Sequence, residues 1–260
     1  MNEQLLETVR AAGKIILEAH DIDRSVTEKE GPANFVTEYD SAVQKFLFEK
    51  LAELYPDAAF VGEEDCADNF ELIKTGLAFI IDPIDGTQNF IKRLRQSAIS
   101  VALCEDGTPI LGVVYNPYTD ELFCAEKGKG AWRIAGGVRR EMHVSGNSLE
   151  QGIVLFGTSP YYTELYDQTF SVTRTLFENA LDIRRFGSAA LDLCMVADGR
   201  AELFYEARLS PWDLAAGVLL VKEAGGIVTQ LNGEEIQLHR KSSILAGAPA
   251  AYDRAKTLLG

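Results

Sequence analysis

Residues 97–126 read SAISVALCEDGTPILGVVYNPYTDELFCAE. Three apolar runs, SAISVALC, PILGVVY and ELFCAE, are separated by turn signals at Asp106-Gly107 and Asn116-Pro117, a pattern that predicts an antiparallel meander. Parallel pairing needs a crossover of a dozen or more residues, and no crossover helix fits these gaps. Upstream, AAFVG at 58–62 and LAFIID at 77–82 are short apolar runs rich in β-formers that lead into acidic residues. Two helices are expected before them. Leu5, Leu6, Val9, Ala12, Ile16 and Ala19 recur at helical spacing. Thr37 and Asp40 form a capping box ahead of the stripe Val43, Phe46, Leu47, Leu51 and Leu54, which ends before Pro56.

Downstream of residue 150 the texture alternates between strand and helix. IVLFG, DIRRFG, ELFYE and GIVTQL read as strands. Helices are expected over about 161–180, 188–197 and 213–224, the last closed by Gly225-Gly226. The chain therefore reads as α+β, with a largely antiparallel first half and an α/β second half. The change falls near residue 145, and no Pro/Gly/Ser-rich linker marks it. One unit over 1–260 is expected, with sub-lobes 1–145 and 146–260 sharing a core.

With 47% hydrophobic and 25% charged residues and no fixed-period repeat, the 260-residue chain has the composition of a folded enzyme rather than of a disordered or solenoid protein. A formal charge of −14 argues against sequence-independent nucleic-acid binding and against attraction to anionic membranes. The N-terminus MNEQLLETVRAAGKIILEAH lacks the features of a signal peptide, and no apolar run is long enough to span a bilayer. Cys66, Cys104, Cys124 and Cys194 show no paired spacing, as expected of small buried side chains. A cytoplasmic protein is expected.

The segment FIIDPIDGTQNF at 79–90 delivers Asp82 and Asp85 around Pro83 at the end of a buried strand. Asp82, Asp85 and the carbonyl of Ile84 are oxygen donors suited to a hard cation such as Mg2+. Gly86 and Thr87 follow, and a helix starting there offers free amides to a phosphate. A plain turn explains the same residues equally well. Glu63 and Glu64 after the strand VGEED have the position of metal ligands, yet an acidic surface run is the simpler reading in isolation. Asp213 in SPWDLAAG has an adequate explanation at a helix N-terminus, with Trp212 in the core. His20, His143 and His239 lack zinc spacing and are assigned to the surface. There is no G-x-S-x-G elbow, and AEKGKGAW at 125–132 lacks P-loop spacing and reads as a turn between strands.

Taken together, FVTEYD at 35–40, GEED at 62–65, DPIDGTQNF at 82–90 and PWDLAAG at 211–217 resemble the inositol monophosphatase family in order and spacing. GVVYNP, AEKGKGAW, FGSAALDLCMVADGRAELFYE and KEAGGIV extend the resemblance over nearly the whole chain. It implies a layered αβαβα sandwich of the type shared with fructose-1,6-bisphosphatase, and a homodimeric Mg2+-dependent phosphomonoesterase. By it, Glu63, Asp82, Asp85, Asp213 and the Ile84 carbonyl would hold metal, with Glu64 and Asp40 nearby. Gly86 and Thr87 would hold the phosphate, and Thr87 with Glu63 would orient the attacking water. Ala189 and Glu206 would line the substrate alcohol, and Lys29 matches a basic residue of a loop. Asn34, Gln88 and Ser210-Pro211 depart from patterns found in some members, which bears on the alcohol rather than on the metals. Inositol monophosphate or a similar polyol phosphate is the expected substrate. Fructose-1,6-bisphosphatase, 3′-phosphoadenosine 5′-phosphate phosphatase, histidinol-phosphate phosphatase and a regulatory binding protein on the same fold are the alternatives.

Overall fold

The structure, a computed structural model, describes residues 2–22, 26–28, 35–65 and 70–260. Lys29, Asn34 and Cys66 lie outside them. Helix α1 (Glu3–Leu17) is capped by the Asn2 side chain, which accepts from the Gln4 amide, and it buries Leu5, Val9, Ala12 and Ile16. A short antiparallel pair, β1 (Thr27–Glu28) and β2 (Phe35–Val36), precedes α2 (Glu38–Leu54). The Thr37/Asp40 capping box forms as the sequence predicts.

Seven strands then pair in chain order into one sheet: β3 (Ala59–Gly62), β4 (Leu77–Asp85), β5 (Ala98–Glu105), β6 (Thr108–Asn116), β7 (Glu121–Glu126), β8 (Ala131–Ala135) and β9 (Val138–Glu141). Only β3 and β4 are parallel; the rest is the antiparallel meander read from residues 97–126, extended by two strands. The five-residue helix α3 (Thr87–Ile91) leaves the end of β4.

The second half builds a five-stranded sheet in the order β11-β10-β12-β14-β13. Its strands are β10 (Ile153–Phe156), β11 (Asp182–Arg184), β12 (Leu203–Leu209), β13 (Ile227–Thr229) and β14 (Ser242–Gly247), and β10 pairs in parallel with β11 and β12. Helices α4 (Tyr166–Phe177), α5 (Ala189–Ala197), α6 (Pro211–Glu223) and α7 (Pro249–Leu259) connect or follow these strands.

Five layers result, with a hydrophobic cluster in each of the main gaps. Leu5, Val9, Leu47 and Leu51 of α1 and α2 pack on Phe79, Val101 and Val113 of the larger sheet. Between the sheets lie α5 and α6, which are apolar on nearly all sides and therefore buried on both faces. Leu193, Leu214 and Leu220 join Ile80, Ala102 and Val114 of the larger sheet to Phe204 and Ile244 of the smaller. On the outer face of the smaller sheet, Leu176 of α4 and Tyr252 of α7 cover Val154, Leu203 and Leu245. This is the expected αβαβα sandwich.

Two boundaries differ from the sequence reading. The helix expected over 161–180 is confined to Tyr166–Phe177, preceded by a single 3₁₀ turn at Thr163–Leu165, because residues 157–162 are drawn across to β12 instead. The helix expected from 213 begins at Pro211, whose fixed φ and missing N–H suit the first helical position. His20 and His143 are exposed and His239 is half-buried. Cys104, Cys124 and Cys194 are free thiols in the core.

Candidate active site

In a regular strand, residues three apart point to opposite faces. Asp82 and Asp85 escape this rule because β4 bulges between them: Asp82 stands opposite Ser100 and Asp85 opposite Ala98, three steps on one strand against two on the other. The extra residue turns both carboxylates to the same side. Asp213 reaches them from the first turn of α6, and oxygens of the three side chains lie within 4.8 Å of one another. Glu63 follows directly on β3, its amide donating to the Ile81 carbonyl at 3.2 Å, so it stands beside Asp82 at the ends of two parallel strands.

Each carboxylate is steered by the backbone around it. The Ile84 amide donates to Asp82 Oδ1 at 3.0 Å. Asp85 Oδ2 accepts from Ser188 Oγ at 2.5 Å and from the Ala190 amide at 2.8 Å, so the start of α5 holds one oxygen and leaves the other for the cluster. Asp213 Oδ2 accepts from the Ser210 amide at 2.7 Å, which makes it a helix-capping residue and a member of the cluster at once. The helix-terminus reading of Asp213 holds, and the same carboxylate stands in the cluster.

Gly86 has φ +89, and a Cβ there would lie 3.0 Å from the carbonyl oxygens of both Gln96 and Gly187. Thr87 Oγ1 donates to the Ile84 carbonyl at 3.1 Å and to Asp40 Oδ1 at 3.3 Å. Asp40 is fully buried and accepts from the Thr37 amide at 2.8 Å. The backbone amide of Glu64 donates to Gln44 Oε1, and Glu64 does not line the pocket.

These groups open on a cavity of about 320 Å³ lined by Glu63, Asp82, Ile84, Asp85, Gly86, Thr87, Ala189, Glu206 and Asp213 among others. Lys29 lies outside the described residues, and of the other residues placed at or near the site from the sequence, Asp40 and Glu64 do not border this cavity. Sequence reasoning missed Ser159, Tyr161, Arg185, Ser188 and Asp192, which also line it. Only Ser188 left a signal, as an N-cap after Gly187, and that signal says nothing of Asp85.

The electrostatics are those of crowded like charges. Burial, then the charges of Glu63, Asp85, Asp213 and Asp40, push Asp82 well above the usual carboxylate range. Burial and the neighbouring Asp85 and Glu63 do the same to Asp213. Burial raises Asp85 to about 6 against the pull of its hydrogen bonds from Ser188, Ala190 and Ala189. Glu206, buried and held by Ser159, is raised to about 7. A set of converging carboxylates and one carbonyl, all oxygen and mutually repelling, fits a hard divalent cation and not a soft or nitrogen-seeking metal.

Comparison with known proteins agrees with this geometry. A sequence profile described as the inositol monophosphatase family matches residues 1–259. The Nus factor SuhB of Escherichia coli strain K12 is 36% identical over 250 residues, covering 94% of this chain and 90% of that protein. The inositol-1-monophosphatase of Bacillus subtilis is 33% identical over 244 residues, with 94% and 90% covered. The crystal structure of the extragenic suppressor protein SuhB from Bartonella henselae superposes with a TM-score of 0.88 at 32% identity over 99% of this chain and 97% of that one. By its sequence and its fold, the chain belongs to the inositol monophosphatase family.

Proposed function

We propose that this protein hydrolyses phosphate monoesters with Mg2+, and that its substrate is inositol monophosphate or a similar polyol phosphate. The observation that supports this most strongly is the convergence of Asp82, Asp85 and Asp213 beside Gly86 and Thr87 in one cavity. Glu63, Asp82, Asp85, Asp213 and the Ile84 carbonyl would hold the cations. When bound there, divalent ions supply Lewis-acid polarisation of the phosphoryl oxygens and lower the pKa of a water ligand from ~15.7 toward ~7.

The chain's own residues do the rest. Gly86 and the first amides of α3 receive the phosphoryl oxygens at a backbone that no Cβ obstructs. Thr87 Oγ1, fixed between Asp40 and the Ile84 carbonyl, orients the attacking water together with Glu63. Ala189 and Glu206 border the space left for the alcohol. Cancelling the negative charge of the cluster also allows an anionic ester to approach a protein of formal charge −14.

In the same reading the chain works as one unit over 1–260, as a cytoplasmic homodimer with no nucleic-acid partner. Light scattering in solution tests the dimer. One relative is named a Nus factor, which favours, as second reading, a binding role on the same fold.

The test is phosphate release from inositol 1-phosphate, fructose 1,6-bisphosphate, 3′-phosphoadenosine 5′-phosphate and histidinol phosphate, each with Mg2+. Wild type is expected to prefer the inositol ester. Asp85→Asn is expected to lose about 10²–10³-fold in rate with an unchanged circular dichroism spectrum. A wild-type protein inactive on all four esters overturns the phosphatase reading and leaves the binding role.

A further inference from the structure

Helix α5 runs between the two sheets with an almost wholly apolar sequence, AALDLCMVA, and Asp192 is its one charged residue. That residue is 1% exposed. Burying a carboxylate without hydrogen bonds is costly, and the protein avoids it at its other buried acids. Asp40 accepts from the amide of Thr37, Asp82 from Ile84, Asp85 from Ala190, Glu202 from Ile153 and Glu206 from Ser159, at distances between 2.7 and 3.0 Å. Asp192 is the exception. Among the described residues its side chain makes no hydrogen bond or ion pair, and its Oδ1 is enclosed without a partner.

Packing gives no reason for a carboxylate at this position. Its neighbours Leu191 and Leu193 belong to the core between the sheets. The face that carries Asp192, however, opens on the site. One helical turn separates it from Ser188 and Ala189, so the three share a face, and all three line the cavity. Ser188 on that face is engaged with Asp85, and Ala189 borders the space left for the alcohol. Glu206 borders the same cavity from β12 with its Oε1 already occupied by the Ser159 amide and hydroxyl, at 2.8 and 3.1 Å. Asp192 stands outside the trio of carboxylates whose oxygens lie within 4.8 Å of one another, which separates it from the cation ligands. A buried polar group with no partner in the protein, on the wall of a cavity, is a group kept for something that enters the cavity.

We infer that Asp192 is a specificity residue whose carboxyl group hydrogen-bonds a hydroxyl of the substrate's alcohol, and so selects hydroxyl-rich esters. This inference rests on the phosphatase reading. A hydroxyl both donates and accepts, so it pairs with the carboxyl group in either protonation state. An analogue lacking that hydroxyl leaves the buried group unpaired again, which discriminates far more strongly than a difference in apolar contact.

The test uses inositol 1-phosphate and cyclohexyl phosphate, which share a six-membered carbon ring and a phosphate ester and differ in the ring hydroxyls. Asp192→Ala is expected to lose roughly 10- to 100-fold in kcat/KM on the inositol ester and less than about threefold on the cyclohexyl ester. Asp192→Asn, which keeps a hydrogen-bonding group of the same shape, should recover most of the loss. Equal losses on both esters, or no loss on the inositol ester, overturn the assignment. The melting temperature of Asp192→Ala should equal or exceed that of wild type, since an unpaired buried charge is removed and a better helix former put in its place. A lower value would show that the fold itself needs the carboxyl group, and a raised Mg2+ midpoint would place Asp192 with the cation ligands; either overturns the assignment. Wild type inactive on both esters removes the phosphatase reading and this inference with it, whereas active wild type with an indifferent Asp192→Ala removes only Asp192.

Discussion

At Gly86 the site depends on a missing side chain. Its φ of +89 is open to glycine but costs an L-residue about 1–2 kcal/mol, and two carbonyl oxygens stand 3.0 Å from where a Cβ would be. Gly86→Ala is therefore expected to lower unfolding stability in urea by at least that amount and to abolish phosphate release. Unchanged stability would mean that the backbone relaxes there freely. Single residues were legible in the sequence to differing degrees. Asp82, Asp85 and Glu63 stood out because they follow apolar strands. The bulge that unites Asp82 and Asp85 did not, since strand periodicity alone sends them to opposite faces and only Pro83 hints otherwise. Ser159 gave no signal, because its place in the cavity wall depends on β12, more than forty residues further along the chain.

Helix α5 shows how an element serves fold and site with the same atoms. Ser188 caps it, yet its hydroxyl donates to Asp85 on the neighbouring sheet, and the Ala190 amide donates to the same oxygen. Asn89 of α3 adds bonds from its side-chain amide to the carbonyls of Phe186 and Gln96, both at 2.7 Å. Ser188→Ala should cost about 1–2 kcal/mol as a lost cap and a lost buried donor. It should also raise the Mg2+ concentration needed for half-maximal thermal stabilisation by roughly tenfold, as loss of a partner that orients a ligand does. Ser188→Thr should restore most of the affinity; an unchanged Mg2+ midpoint in Ser188→Ala would show that Ala190 suffices. The cap was readable from Gly187-Ser188 before an apolar run, but its target, 103 residues earlier, was not. The same limit explains the helix expected from 161. Local pattern favoured it, and contacts with Glu206 and Arg208 overrode the pattern.

Over the whole molecule, strand pattern and order made the two sheets and their layers legible, because alternation, turn residues and near-continuous apolar helices are properties of short windows. What no window contains is the meeting of the two halves, and stability should report that meeting. Without divalent ions the folded state keeps protons on Asp82, Asp85 and Asp213 that the unfolded chain releases near pH ~4. Raised carboxylate values stabilise the fold most below that point, and the benefit is lost as pH climbs through about 6, the value at Asp85, and beyond. Cations replace those protons, so the rise in melting temperature on adding Mg2+ should be small at pH 5 and large at pH 8. An equal rise at both would count against the cluster as the binding site.

The cavity draws Asp82 and Asp85 from the first sheet but Glu206 and Asp213 from beyond residue 200. A polypeptide cut short after α5 would therefore carry the meander and only half a cage, since Glu206 and Asp213 come with β12 and α6.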